Sequence, residues 1–173
     1  DTVLQFLREL GDLVRKPTRI VVGGSIALSL RDLLVRQTED IDIVNEVPAE
    51  IRDLGQPLRD LVERYRLTIG HFRSHYLPAG WADRVQWFDR MRNLEVVLVD
   101  PYDIFVGKLF SRREKDLGDL RILVSELDKG KIVRRLPQAF GMLSVDRLRE
   151  MAAHNWYVLF GEDLPQADNP PPA

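Results

Sequence analysis

Val22-Gly23-Gly24-Ser25, followed one helix-length later by Thr38-Glu39-Asp40-Ile41-Asp42-Ile43-Val44, is the stretch that decides the fold. Arg19-Ile20-Val21-Val22 is short, apolar and β-branched, and reads as a strand. Gly23-Gly24-Ser25 is a turn. Ser25 stands where it can cap a helix running to about Arg36, with Ile26, Leu30, Leu33 and Leu34 inward. Ile41 to Val44 is a second strand. Asp40 and Asp42 are two apart along it, so both side chains leave one face while Ile41 turns to the core.

Each part of this pattern has a chemical use. Gly24 lets backbone approach a ligand closely, and a helix start offers free N–H donors and partial positive charge suited to phosphate. Ser25 adds a hydroxyl donor. Two carboxylates held side by side repel unless a cation lies between them. Hard oxygen donors of this kind suit Mg²⁺ (or Mn²⁺), which also takes oxygens from substrate phosphates.

Working outward, Thr2 to Lys16 carries apolar residues at helical spacing, with Thr2 as N-cap, and Pro17-Thr18 ends the helix. Pro48 opens a third helix, interrupted at Gly55, that reaches about Tyr65. Leu67-Thr68-Ile69 reads as a strand, Pro78-Ala79-Gly80 as a turn, and Val85 to Met91 as strand or irregular chain. Asn93 to Val99 is the strongest strand in the sequence. Pro101 to Phe110, Lys115 to Leu127, Ile132 to Phe140 and Val145 to Leu159 follow as helices. The order predicts an α+β fold of two layers: a small mixed β-sheet flanked by helices, then a helical C-terminal part. The expected organisation is a core over 1–127, a helical extension packed on it over 128–163, and a disordered Pro-rich tail over 164–173.

Composition bounds the partners. At 173 residues, with 45% hydrophobic and 30% charged residues, folding buries roughly 70% of the unfolded surface, so no staple is needed. Lys+Arg 25 against Asp+Glu 27 gives a net charge of -2. This excludes nucleic-acid binding through overall positive charge but leaves room for a local basic stripe. Zero cysteines exclude disulfides, thiolate zinc sites and cysteine nucleophiles. No apolar run approaches the ~20 residues of a membrane span. The expectation is a cytoplasmic protein without a membrane partner.

A third carboxylate is expected if two ions are to be held. Glu95 lies inside the strong strand Asn93–Val99. If that strand lies beside Ile41–Val44, Glu95 completes the site and the ions clamp the attacking and leaving oxygens of an in-line phosphoryl displacement. The other reading of Glu95 is a charge pointing outward from an edge strand.

With these residues in place, the glycine-serine turn and the Asp40-Ile41-Asp42 strand resemble the signature of the polymerase-beta-type nucleotidyltransferase superfamily. Downstream, Val99-Asp100-Pro101-Tyr102-Asp103-Ile104, Lys108-Leu109 and Arg113-Glu114-Lys115-Asp116-Leu117-Gly118-Asp119-Leu120 resemble one branch of it. That branch holds AbiEii-type abortive-infection toxins and related nucleotidyltransferase-like families of unknown function. The resemblance spans roughly Ile20 to Leu123. It implies the nucleotidyltransferase fold, with Asp40, Asp42 and Glu95 as metal ligands and Lys108 meeting the triphosphate. Asp116 and Asp119 would support the site or the acceptor. It departs from the pattern in having Glu as third acid and a short C-terminal region.

Other residues carry competing readings. Lys108 sits in an otherwise apolar helix, so it snorkels to the surface or meets phosphate or carboxylate. Gly107-Lys108 is not a P-loop, because Tyr102 and Leu109 occupy positions requiring Gly and Ser/Thr. Asp116 and Asp119 share a helix face, which reads equally as a solvated face paired with Arg112, Arg113 or Lys115. His71 and His75 lack a third ligand and a supporting helix. Trp81, Trp87 and Phe88 interleave with Arg84 and Arg90; packing of the aromatics under the arginines is preferred to base stacking.

The functional expectation is Mg²⁺-dependent transfer of a nucleoside monophosphate from a nucleoside triphosphate to an acceptor hydroxyl, on RNA or tRNA, protein or a small molecule. A toxin–antitoxin role with a cognate antitoxin goes with it. The alternative is a nucleotidyltransferase-like nucleotide- or partner-binding protein without turnover. The position of Glu95 discriminates: distance from Asp40 and Asp42 favours binding without turnover.

Overall fold

A computed structural model describes residues 2–35 and 38–166. Among these, five strands form one sheet: β1 (Thr18–Val22), β2 (Asp40–Val44), β3 (Thr68–Phe72), β4 (Gln86–Met91) and β5 (Leu94–Leu98). Their order is β3-β2-β1-β5-β4. β2 runs antiparallel to β1 with Val22 opposite Ile43, while β5 is parallel to β1 and β3 parallel to β2. The mixed sheet and its helices bear out the α+β expectation.

The chain divides into two compact units. The first comprises Asp1–Leu30, Val35–Ser74 and Val85–Val99. It holds the sheet, α1 (Thr2–Leu13), α2 (Gly24–Ser29), α3 (Ala49–Arg52) and α4 (Gln56–Tyr65). One sheet face is apolar: Ile20, Val22, Ile41, Ile43, Leu94, Val96 and Leu98 are buried, together with Phe6, Leu7 and Leu10 of α1 and Leu61 of α4. Alternation in β1, β2 and β5 sends Arg19, Asp40, Asp42 and Glu95 to the other face. Gly55, at φ +65, separates α3 from α4 as the sequence indicated.

The second unit comprises Arg31–Leu34, His75–Arg84 and Asp100–Ala173. Its helices are α5 (Pro101–Lys108), α6 (Glu114–Glu126), α7 (Lys129–Arg135), α8 (Phe140–Leu143) and α9 (Asp146–Phe160). Asp100 caps α5 by accepting from the Tyr102 N–H at 2.9 Å. Asn155 of α9 donates from Nδ2 to the carbonyls of Leu109 (2.8 Å) and Ser111 (3.0 Å), taking up acceptors just beyond the end of α5.

Several local expectations are corrected. The helix after Gly23 stops at Ser29, because Leu30 closes it and Asp32 adopts a left-handed φ of 58°. Arg36 and Gln37 lie outside the described residues. Ser25 is not its cap: Gly23 is, without a side-chain hydrogen bond. Thr2 is already helical, and Asp1 lies outside the described residues. The span 132–140 is broken, with a 3-10 turn at Leu136–Ala139 between α7 and α8. The tail expected over 164–173 lies outside the described residues from 167 onward. Trp87 does not pack in the core; it is 63% exposed on β4, beside an irregularity in the pairing with β5. No described helix is long and apolar enough to cross a membrane.

Candidate functional site

Asp40 and Asp42 stand on one face of β2, as their spacing required. Asp40 is exposed at the strand start and Asp42 is half-buried. The chain makes room around Asp42 on both sides. β1 runs into Gly23, whose N–H donates to the Asp42 carbonyl at 2.9 Å. The next residue, Gly24, has φ +62, and a Cβ there would lie 2.7 Å from Asp42 Oδ2. That conformation favours glycine, and a Cβ there would force the Asp42 carboxylate to move. On the other side Gly70 of β3 is in register with Asp42, and a Cβ there would lie 3.3 Å from Asp42 Oδ1. The carboxylate therefore sits in a cradle whose two walls lack side chains.

Asp40 is in register with Thr68 of β3, whose hydroxyl donates to Asp40 Oδ1 at 2.5 Å. Two carboxylates on one face, one held by a hydroxyl and the other given clearance by glycines, fit a hard divalent cation as donor set. Ser25 is only 7% exposed in the first turn of α2. That helix has six residues, so backbone N–H groups at the turn matter more there than a summed helix dipole.

Glu95 is not brought to this pair. It is in register with Arg19 of β1 and Arg90 of β4, and β1 lies between β5 and β2. Gly23, at the level of Asp42, is four residues on from Arg19. The separation is thus about 13 Å along the strands and two strand spacings of about 4.8 Å across. The Glu95 carboxylate lies 3.6 Å from Arg19 Nε and 3.0 Å from Arg90 Nη2. Its charge inside an apolar strand is explained by these two arginines. At the end of the sheet near Gly23, β5 instead presents Val97 and the chain continues to Val99, both buried. Among the described residues no group of three His, Asp or Glu side chains is gathered to hold a metal ion.

Lys108, Asp116 and Asp119 are brought together in the helical unit. Lys108 is 9% exposed, and both aspartates are 1% exposed. Its ammonium lies 2.5 Å from Asp116 Oδ1 and 3.0 Å from Asp119 Oδ2. Asp116 Oδ2 accepts from Ser111 Oγ (2.6 Å) and Arg113 Nε (2.7 Å). Burial pushes the Asp116 carboxyl up, but the Lys108 ammonium and the bonds from Lys108, Ser111 and Arg113 outweigh it and hold the group below its ordinary value. Of the readings open for Lys108, the buried carboxylates take it. The solvated acidic face envisaged for Asp116 and Asp119 is absent: α6 turns them inward. Gly107 is explained by packing, since a Cβ there would meet the Tyr76 carbonyl oxygen at 2.8 Å.

A second charged cluster went unforeseen. Asp103, fully buried, accepts from Arg84 through Nε (2.9 Å) and Nη2 (3.0 Å) and from Arg135 Nη1 (2.5 Å). Arg135 Nη1 also lies 3.2 Å from Asp100 Oδ1. Thr68 and Gly70 were missed as well; their signal was only a short β-branched segment followed by a glycine.

A family model described as a nucleotidyltransferase of unknown function (DUF6036) matches residues 2–159. No curated protein and no solved structure matches the chain.

Proposed function

We propose, since the chain belongs to the family of nucleotidyltransferases of unknown function (DUF6036), that its strand unit binds a nucleoside triphosphate together with Mg²⁺ or Mn²⁺. The observation that carries this is the Asp42 carboxylate in its two-glycine cradle with Asp40 beside it on the same face. Asp40 and Asp42 hold the cation, which when bound neutralises phosphate charge and polarises the phosphoryl group. Gly24 admits the phosphates close to the backbone, and N–H groups of the Gly24-Ser25 turn donate to them.

In the transfer reaction an acceptor hydroxyl oxygen attacks the α-phosphorus in line. The new O–P bond forms as the bond to pyrophosphate breaks, and the hydroxyl proton leaves to solvent. Asp40, Asp42 and the turn hold the reacting groups in place, so catalysis is positioning and electrostatics. Glu95, bound to Arg19 and Arg90, takes no part. Its position favours the second reading, nucleotide binding without turnover, because the acceptor hydroxyl then lacks a third carboxylate to orient it.

A place in the AbiEii-like toxin branch, with a cognate antitoxin and an RNA, protein or small-molecule acceptor, is supported by the resemblance of the segment containing Lys108, Asp116 and Asp119. We assign those three residues to holding the helical unit together.

The test is incubation of the full chain with Mg²⁺ or Mn²⁺ and each labelled triphosphate, alongside an RNA pool, protein and small acceptors. Cation-dependent binding with covalent label on an acceptor supports transfer. Binding with no label on any acceptor supports the second reading. Wild-type protein that binds no triphosphate overturns both.

A further inference from the structure

We infer that Thr68 is a positioning residue for the cation site, acting through Asp40. This rests on the reading of Asp40 and Asp42 as cation ligands and adds a residue from a strand that the glycine-serine and paired-aspartate pattern does not include.

Three observations lead to it. Asp40 lies at the exposed start of β2, where a carboxylate is free to rotate unless something holds it. Thr68 is directly across in the parallel register, and its hydroxyl donates to Asp40 Oδ1 at 2.5 Å. The hydroxyl proton has one competing acceptor, the Glu39 carbonyl at 3.3 Å. That carbonyl already accepts the Thr68 backbone N–H at 2.7 Å. The same backbone bond fixes where Thr68 stands, and its β-branched side chain restricts rotation about χ1. Thr68 thus fixes the orientation of Asp40 and leaves Oδ2 to serve a cation, as partners behind a metal ligand commonly do.

Thr68→Val keeps the shape and the strand preference while removing the donor; Thr68→Ser keeps the donor. Binding of Mn²⁺ alone, and of Mn²⁺ with ATP, is read from the loss of the free-ion electron paramagnetic resonance signal on the full chain. Thermal unfolding without ligand is measured beside it. Thr68→Val is expected to weaken Mn²⁺ binding about ten-fold, Thr68→Ser to stay within about two-fold of wild type, and neither to shift the unfolding midpoint appreciably. Wild-type-like Mn²⁺ binding by Thr68→Val, with binding abolished in Asp42→Asn, overturns the role of Thr68 alone. Equal weakening in the Val and Ser variants also overturns it, since side-chain shape rather than the hydroxyl then matters. Mn²⁺ binding that Asp40→Asn and Asp42→Asn leave intact, or that wild type lacks, overturns the underlying site and this inference together.

Discussion

Two pairs of aspartates look alike in the sequence and live in opposite surroundings. Asp116 and Asp119 are buried in the helical unit against the Lys108 ammonium, with Arg113 and Ser111 adding donors to Asp116. Asp40 and Asp42 stand in the strand unit with a neutral hydroxyl on one and glycines flanking the other. The first pair is matched by the protein's own cations, so its chemistry is internal. The second has a hydroxyl on Asp40 and glycine backbone on either side of Asp42, and under the proposed function it takes its cation from outside. An acidic pair is therefore informative only through what its neighbours supply.

The comparison breaks most directly at Lys108. Lys108→Met removes the ammonium that Asp116 and Asp119 share in the buried cluster and should cost about 3–5 kcal/mol of stability, read by urea unfolding. The same network predicts a pH response. Because the folded Asp116 carboxyl is held below its ordinary value, its contribution is present above the unfolded value of about 4 and is lost as pH falls through the lowered one. The urea midpoint should fall on acidification through that range, and by less in Asp116→Asn. Asp42→Asn makes the converse test: cation-dependent nucleotide binding or transfer should drop about a hundred-fold or more, equivalent to about 3 kcal/mol. Its unfolding free energy should change by less than that of Lys108→Met, by about 1 kcal/mol or less.

Gly70→Ala sharpens the contrast by separating fold from site. Replacing a strand glycine should add about 0.5 kcal/mol to stability, while the new methyl, crowding Asp42 Oδ1, weakens nucleotide binding about ten-fold. Loss of stability and binding together would contradict the cradle. The smallest effect is expected from Glu95→Gln: nucleotide binding within about two-fold of wild type, measured by titration, and at most about 1 kcal/mol of stability from its exposed ion pairs.

The strand–turn–helix–strand beginning was legible because the β-branched run Arg19–Val22 and the period-two spacing of Asp40 and Asp42 are local properties of the chain. The break at Gly55 and the opening of α5 at Pro101 were legible for the same reason. Glu95 was not, because its neighbours depend on strand order: β1 inserts between β5 and β2, and nothing local to Asn93–Val99 encodes that. Lys108 left three readings open because its partners lie a turn and a helix further on, and only the packing of α6 chooses among them. The early end of α2 was hidden because Leu33 and Leu34 keep a helical apolar spacing after Asp32 has reversed the backbone. Trp87 misled in the other direction, since an aromatic in a strand says nothing of which side that strand leaves open.

Among the described residues β3 pairs with a strand on one side only, yet it supplies Thr68 and Gly70 to the acidic face. A terminal strand opens more readily than the sheet behind it. The amides of Thr68–Phe72 should therefore exchange with deuterium before those of β1 and β5. Under the proposed function, a ligand held by Asp40 and Asp42 would act as a clamp on fraying, expected as slowed exchange along that edge of the sheet while the interior strands keep their rates.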